Sequence, residues 1–205
     1  MSRSPDVDLP RIGPRQVAIL AAAVAVVAVA DAVPAAAHTG QGVAGVWSGL
    51  LHPLLGPDHV FAMITVGVLA AVIRRPLAVP SAFVAAMVVG GTLGMVGMPL
   101  PGGELAIALS VVALGAALVA GSLTRPELAL ALVAVAGFVH GHAHGVEAPT
   151  AAAPVAYVVG FVAATAGLHA AGVGMGQLII RRPAVRAALG SVVIGAGVAF
   201  AAGIV

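Results

Sequence analysis

Residues 104–122 read ELAIALSVVALGAALVAGS: one acid at the start, then eighteen residues without a charge. The apolar positions are continuous rather than alternating, so the stretch does not fit the ten-residue, two-faced strand of a membrane barrel. As a helix it would be about 28 Å long, close to the ~30 Å of a bilayer's hydrocarbon core. A helix also bonds every backbone polar group internally, as lipid requires.

Working outward, arginines and Gly/Pro clusters divide the chain into five further stretches of this kind, at about 45–73, 78–98, 127–145, 152–180 and 185–205. Composition agrees, with 61% hydrophobic and 8% charged residues and a mean hydropathy of +1.14. A soluble fold carries charge on about a quarter of its residues. The connections are too short for a sizeable extramembrane domain. The expected fold is all-α, a polytopic membrane bundle of six transmembrane helices over residues 38–205.

Residues 1–37 are read as a secretory signal peptide ahead of that bundle. Arg3, Arg11 and Arg15 precede an apolar run from Val17 to Ala30, and Ala35-Ala36-Ala37 stands before His38. Basic flank, short core and small-residue cleavage site mark an export signal, the core falling short of the roughly 20 residues needed to span. Cleavage after Ala37 makes His38 the mature N-terminus; an uncleaved signal anchor is the alternative. With that end exported, the connections after spans one, three and five face the cytoplasm. They hold Arg74 and Arg75, then Arg125, then Arg181, Arg182 and Arg186, which are all the arginines after residue 37. The opposite connections carry Glu104 and Glu147 and no basic residue, a positive-inside bias.

The pI near 10.5 therefore reflects topology. All nine basic residues are arginines, with no basic patch interleaved with aromatics, so nucleic-acid binding is excluded. The absence of cysteine removes disulfides and thiolate metal sites. No GxxxxGK[ST] loop is present for nucleotide-powered transport. Trp47 and Tyr157 are expected as interfacial aromatics. Gly90 with Gly94, and Gly160, Gly167 and Gly174 at seven-residue intervals, are expected to let helices approach closely.

The polar residues inside the spans carry the chemistry, because an ionisable group there costs on the order of 3 kcal/mol. Span one contains His52-Pro53-Leu-Leu-Gly56-Pro57-Asp58-His59. His52 and His59 would share a face of a continuous helix, but Pro53, Gly56 and Pro57 are expected to kink or unwind it, as in spans that line binding sites. Span four ends His140-Gly141-His142-Ala143-His144-Gly145-Val146-Glu147. His140 and His144 are i,i+4 neighbours able to share one metal or proton, while His142 points elsewhere. Gly145 and Pro149 are expected to fray the helix, letting Glu147 reach in from a loop. In span five Thr165 and His169 share a face. Counted from the arginines at 1.5 Å per residue, Asp58, His140 and His169 stand about 24, 22 and 18 Å up, which brings imidazoles from three helices to similar depths.

Plainer roles compete for several of these residues. His169 could bond a backbone carbonyl, Asp58 could orient His59 rather than bind metal, and Met63 reads as packing. Glu104 and Glu127 sit at span ends, solvated. An imidazole and carboxylate set without thiolate suits nickel, cobalt, zinc or copper(II). Two other classes stay open on residues alone: an intramembrane zinc hydrolase using Asp58 or Glu147 as base, and a proton-relay accessory subunit. Metal retention by the purified protein separates the relay from the rest.

At these motifs the chain resembles the HupE/UreJ family of nickel/cobalt permeases, the hydrogenase and urease accessory membrane proteins. The pattern HPxxGxDHxxAMxxVGxxA is matched from His52 to Ala70, HGxAHGxE from His140 to Glu147, and GFxxATAxLHxxG from Gly160 to Gly172. The resemblance implies a permease, not an enzyme, that takes nickel, or cobalt or copper, across the bacterial inner membrane for metalloenzyme assembly. It implies His52, Asp58, His59, His140, His144 and Glu147 as site residues, with His38 as an outer binding point; apart from the resemblance, release to the cytoplasm is expected to pass His169 or to follow a rearrangement of the broken span. The cargo is the divalent ion and no prosthetic group is expected. Lipid surrounds the chain, and a homo-oligomer and a cytoplasmic metallochaperone are the protein partners considered.

Overall fold

A computed structural model describes residues 45–121, 126–147 and 154–204, so the signal peptide, His38 and Arg125 lie outside the described residues. All regular structure among them is helical: α1 (Val46–Leu55), α2 (Pro57–Val72), α3 (Ala78–Met95), α4 (Gly103–Ala120), α5 (Pro126–Glu147), α6 (Pro154–Ile179) and α7 (Pro183–Ala201). Helices α3 to α7 are each long and apolar enough to cross a membrane. Helices α1 and α2 pass that test only as a pair, bent by 83°. Six crossings are reached if the bent pair counts as one.

The break in the first span falls at Gly56. Pro53 stays inside α1, and Pro57 opens α2, where a missing N–H leaves no bond unmade. The other end of α2 is closed by a Schellman turn. Arg75 N–H donates to the Ala70 carbonyl at 2.8 Å and Arg74 N–H to Ala71 at 3.1 Å. Arg74 takes φ 58° there, a left-handed position that costs a non-glycine residue about 1 kcal/mol.

Glycines set the packing. Gly137, Gly141 and Gly145 recur every four residues on α5, and a Cβ at each would strike the carbonyls of Phe83, Met87 and Gly91 on α3. In return Gly90 and Gly94 would strike the Phe138 and His142 carbonyls. Lipid offers no hydrophobic drive between helices, so close backbone approach supplies the attraction. The paired residues climb together, which makes α3 and α5 parallel. Helices α2 and α6 are parallel by the same reasoning, through Gly67 on Gly172 and Gly176 on Val68. Helices α4 and α7 are antiparallel: Gly115 meets Gly190, and Gly197 meets Val112.

Successive helices thus alternate in direction, and Arg74, Arg75, Arg181, Arg182 and Arg186 gather at one end. Arg186 Nε donates to the Leu118 carbonyl at 3.1 Å, satisfying the C-terminal turn of α4 with a positive charge. Glu104 and the backbone of Glu147 stand at the other end. The charge asymmetry read along the chain is therefore a property of the fold.

One expectation is corrected. On α6 only Gly160 of the seven-residue series touches a neighbour, the Val46 carbonyl; Gly167 and Gly174 are exposed and would meet nothing. Helix α6 meets α1 with its first half and α2 with its second, so no single seam runs along it. Trp47 and Tyr157 lie in the first turns of α1 and α6, the former 69% exposed and the latter partly buried with its ring 6.0 Å from that of His52, a contact the spacing did not foretell.

Candidate metal centre

The 83° bend is what assembles the cluster. It turns α1 across the start of α2, so that His52 in the last turn of one faces His59 in the first turn of the other, with ring centroids 5.9 Å apart. Helix α5 supplies His140 and His144 from its final turns. His59 lies 4.3 Å from His144 and 5.3 Å from His140, and His52 lies 4.7 Å from His144, all between ring centroids. Donor atoms of His52, His59 and His144 fall within 4.8 Å of one another, as do those of Asp58, His59 and His140. Gly56 makes room for this. A Cβ there would sit 3.1 Å from both Asp58 Oδ1 and His59 Nδ1, which fold back over the break.

The ring protons can be placed from their partners. His140 Nδ1–H donates to the Ala136 carbonyl at 2.8 Å, which leaves Nε2 as a bare lone pair. His144 Nδ1 is 2.8 Å from His52 Nε2, and His144 Nε2 is buried without a partner. A proton on that Nε2 would be an N–H with no acceptor, so it belongs on Nδ1, donated to His52. His59 Nδ1 lies 2.8 Å from Asp58 Oδ1, too close for two lone pairs, so the ring proton belongs on Nδ1 facing the carboxylate and Nε2 is the lone pair the ring offers. Asp58 sits in the first turn of α2, where the helix dipole favours a carboxylate.

Three of the five side chains are buried: His140 fully, and His59 and His144 to 8% exposure, while His52 and Asp58 are partly exposed. Among the described residues, buried imidazole nitrogens with no polar partner are His140 Nε2, His144 Nε2 and His169 Nε2, while His59 Nδ1 faces only Asp58. Leaving a buried polar atom unmatched costs about 1–3 kcal/mol. A fold that keeps two of these on one small cluster calls for an explanation, and ligation of a cation would supply it.

Reading the spans for ionisable residues missed the aromatic wall. Phe161 stands 4.6 Å from His144, Tyr157 6.0 Å from His52, and Phe83 5.9 Å from His140 and 5.2 Å from His169. Scarcity was the available signal: the chain has only seven aromatic residues, and three of them gather here.

His52, Asp58, His59, His140 and His144 come together as expected, but His169 does not join them. Gly67 packs on Gly172, so His169, three residues earlier, is level with Ile64, about 7.5 Å below His59 along α2. Its ring bonds back to the Thr165 carbonyl, with the Phe83 ring against it. The histidines that meet come from α1, α2 and α5. Helix α5 also continues through Glu147 instead of fraying, because Gly145 packs on Gly91; the Glu147 side chain lies outside the described residues. His142 turns away and donates from Nε2 to the Met98 carbonyl at 2.7 Å, tying α5 to the turn after α3. Replacing His142 with alanine should lower stability by about 1 kcal/mol while leaving metal affinity unchanged, read by thermal melting and metal titration of the purified protein. Met63 is fully buried in the core, as packing requires.

No curated protein and no solved structure matches the chain. Residues 22–200, by contrast, match a family described as HupE / UreJ protein, a stretch that contains every element of the cluster just built. With that match over most of its length and its succession of apolar helices, the chain belongs to the HupE/UreJ family of multi-pass membrane proteins.

Proposed function

We propose that the protein is an uptake permease for a divalent transition-metal ion, nickel first, in the bacterial inner membrane, supplying metalloenzyme assembly such as that of hydrogenase or urease. The observation that carries this reading is that the buried, unpartnered Nε2 atoms of His140 and His144 converge on His59 beside one carboxylate. Neutral imidazoles accept the ion through their lone pairs, and Asp58 offsets part of its charge in low dielectric. The donor set is borderline and suits nickel, cobalt, zinc or copper(II), so selectivity rests on geometry.

The arginine-rich end faces the cytoplasm and the histidine cluster lies toward the outside. Capture begins at His38 and Glu147 and continues to the cluster. Release passes His169, whose Nε2 is also buried and unpartnered, on the far side of the Phe83 ring. The membrane potential contributes about 2.3 kcal/mol per charge per 100 mV, and a cytoplasmic metallochaperone can hold the product.

Radiolabelled nickel uptake into proteoliposomes, with competing cations, tests the reading. The wild type should accumulate metal, and His140→Ala should not; equal uptake by both would remove the support for the site. Purified protein that neither retains nor binds any divalent ion would favour a proton relay instead. Ligation needs neutral rings, so uptake should be lost when the medium is made acidic enough to protonate them. Rates that stay unchanged down to the acid limit of the folded protein, in vesicles held at equal potential, would count against histidine ligation.

A further inference from the structure

The cluster does not close around one point. His52, His59 and His144 form one triad of donors within 4.8 Å, and Asp58, His59 and His140 form another. His59 is the only member of both. We propose that these are two stations for a single ion, occupied in turn, with His59 handing the metal from the outer triad to the inner one. This rests on the cluster being the transport site.

Three features give the pair a direction. The α5 ligands, His144 and His140, are one turn apart, a step of about 6 Å inward. Burial deepens along α5, from 8% exposure at His144 to none at His140, while each triad keeps one partly exposed member, His52 in the outer and Asp58 in the inner. The donor chemistry changes as well, because the outer triad is imidazole only and the inner one includes the Asp58 carboxylate. An ion losing its hydration shell therefore meets compensating negative charge where it needs it most.

The stations exclude one another. They share a ligand, and two dications a few ångströms apart beside one carboxylate would repel strongly in a largely buried site. Each triad also leaves coordination positions for water or an incoming group, which suits a site that must release its ion as well as bind it. Capture at the outer station replaces the His52–His144 hydrogen bond, so that station is held closed by its own ligands until metal arrives.

Cobalt(II) alone is the probe, since its visible absorption reports its ligands. Titrated into the purified full-length chain in detergent, it should load to one ion per wild-type chain. Removing the outer pair (His52→Ala with His144→Ala) should leave one ion per chain, held by Asp58, His59 and His140. Removing the inner pair (Asp58→Asn with His140→Ala) should also leave one, with an all-nitrogen protein ligand spectrum distinct from the first. Both doubles should fail to transport. The glutamine versions His52→Gln with His144→Gln repeat the outer deletion at nearly constant volume, so a folding defect is not mistaken for lost binding. Abolished binding in a folded double variant would mean a single undivided site and overturn the proposal. Two ions on the wild type would mean simultaneous occupancy and overturn it as well. No cobalt on the wild type would instead overturn the transport reading beneath it.

Discussion

Alanine at position 59 should abolish metal binding and reduce nickel uptake into proteoliposomes by at least about a hundred-fold, the upper end of what a metal site loses when a mere supporting partner is removed. The expectation is this large because His59 is the one side chain within reach of every other member of the cluster. It belongs to both donor triads, and its ring lies against those of His52, His140 and His144. His52→Ala or His140→Ala alone leaves one triad intact for binding, whereas His59→Ala leaves neither. The substitution should not unfold the protein, since the Nδ1 contact it removes is with Asp58, a partly exposed carboxylate that keeps its support from the first turn of α2. Wild-type uptake by a folded His59→Ala variant would remove the basis for the site.

The second large effect concerns the scaffold. Gly141→Ala should destabilise the bundle by about 3 kcal/mol, the upper part of the range for overpacking. The added methyl has nowhere to go. It would strike the Met87 carbonyl, with the Met87 Cα and carbonyl carbon both at 2.6 Å, and backbone cannot rotate aside as a flexible side chain does. His140 and His144 ride on the same helix, so uptake should fall with stability. Gly167→Ala is the matched control. That position is exposed with open space around it, and alanine is favoured over glycine in a helix interior by about 1 kcal/mol. Thermal unfolding in detergent should show opposite signs for the two variants, and a Gly141→Ala protein as stable as wild type would mean that α3 and α5 are not packed as described.

Much of this architecture was legible because it depends on residue class. Apolar runs between arginines mark the spans, and the arginines mark an end of the bundle whatever the packing. That His140 and His144 lie one turn apart on the same face of α5 followed from helical spacing alone. His52 was different. Pro53, Gly56 and Pro57 announced a break but not its angle, and only the 83° turn decides that His52 swings onto His59 and His144. His169 marks the limit of depth counting. The count put it some 6 Å lower than Asp58 and the packing puts it about 9 Å lower, while a metal's ligand shell is only about 2 Å in radius, so similar depth was too coarse a test. The glycines show the same limit. Gly137 and Gly141 are as plain in the sequence as Gly167 and Gly174, and only the identity of the neighbouring helix separates a packing contact from a lipid-facing gap.

The bend at Gly56 also decides which helices carry the two walls of the site. Helix α5 is clamped to α3 by glycines meeting backbone carbonyls on both sides. Helix α1, ten residues long, is held on the start of α6 in the same way, since a Cβ at Gly49 would strike the Tyr157 carbonyl and one at Gly160 the Val46 carbonyl. His52 therefore rides on one close-packed pair and His140 and His144 on another, and the imidazoles are where the two pairs meet.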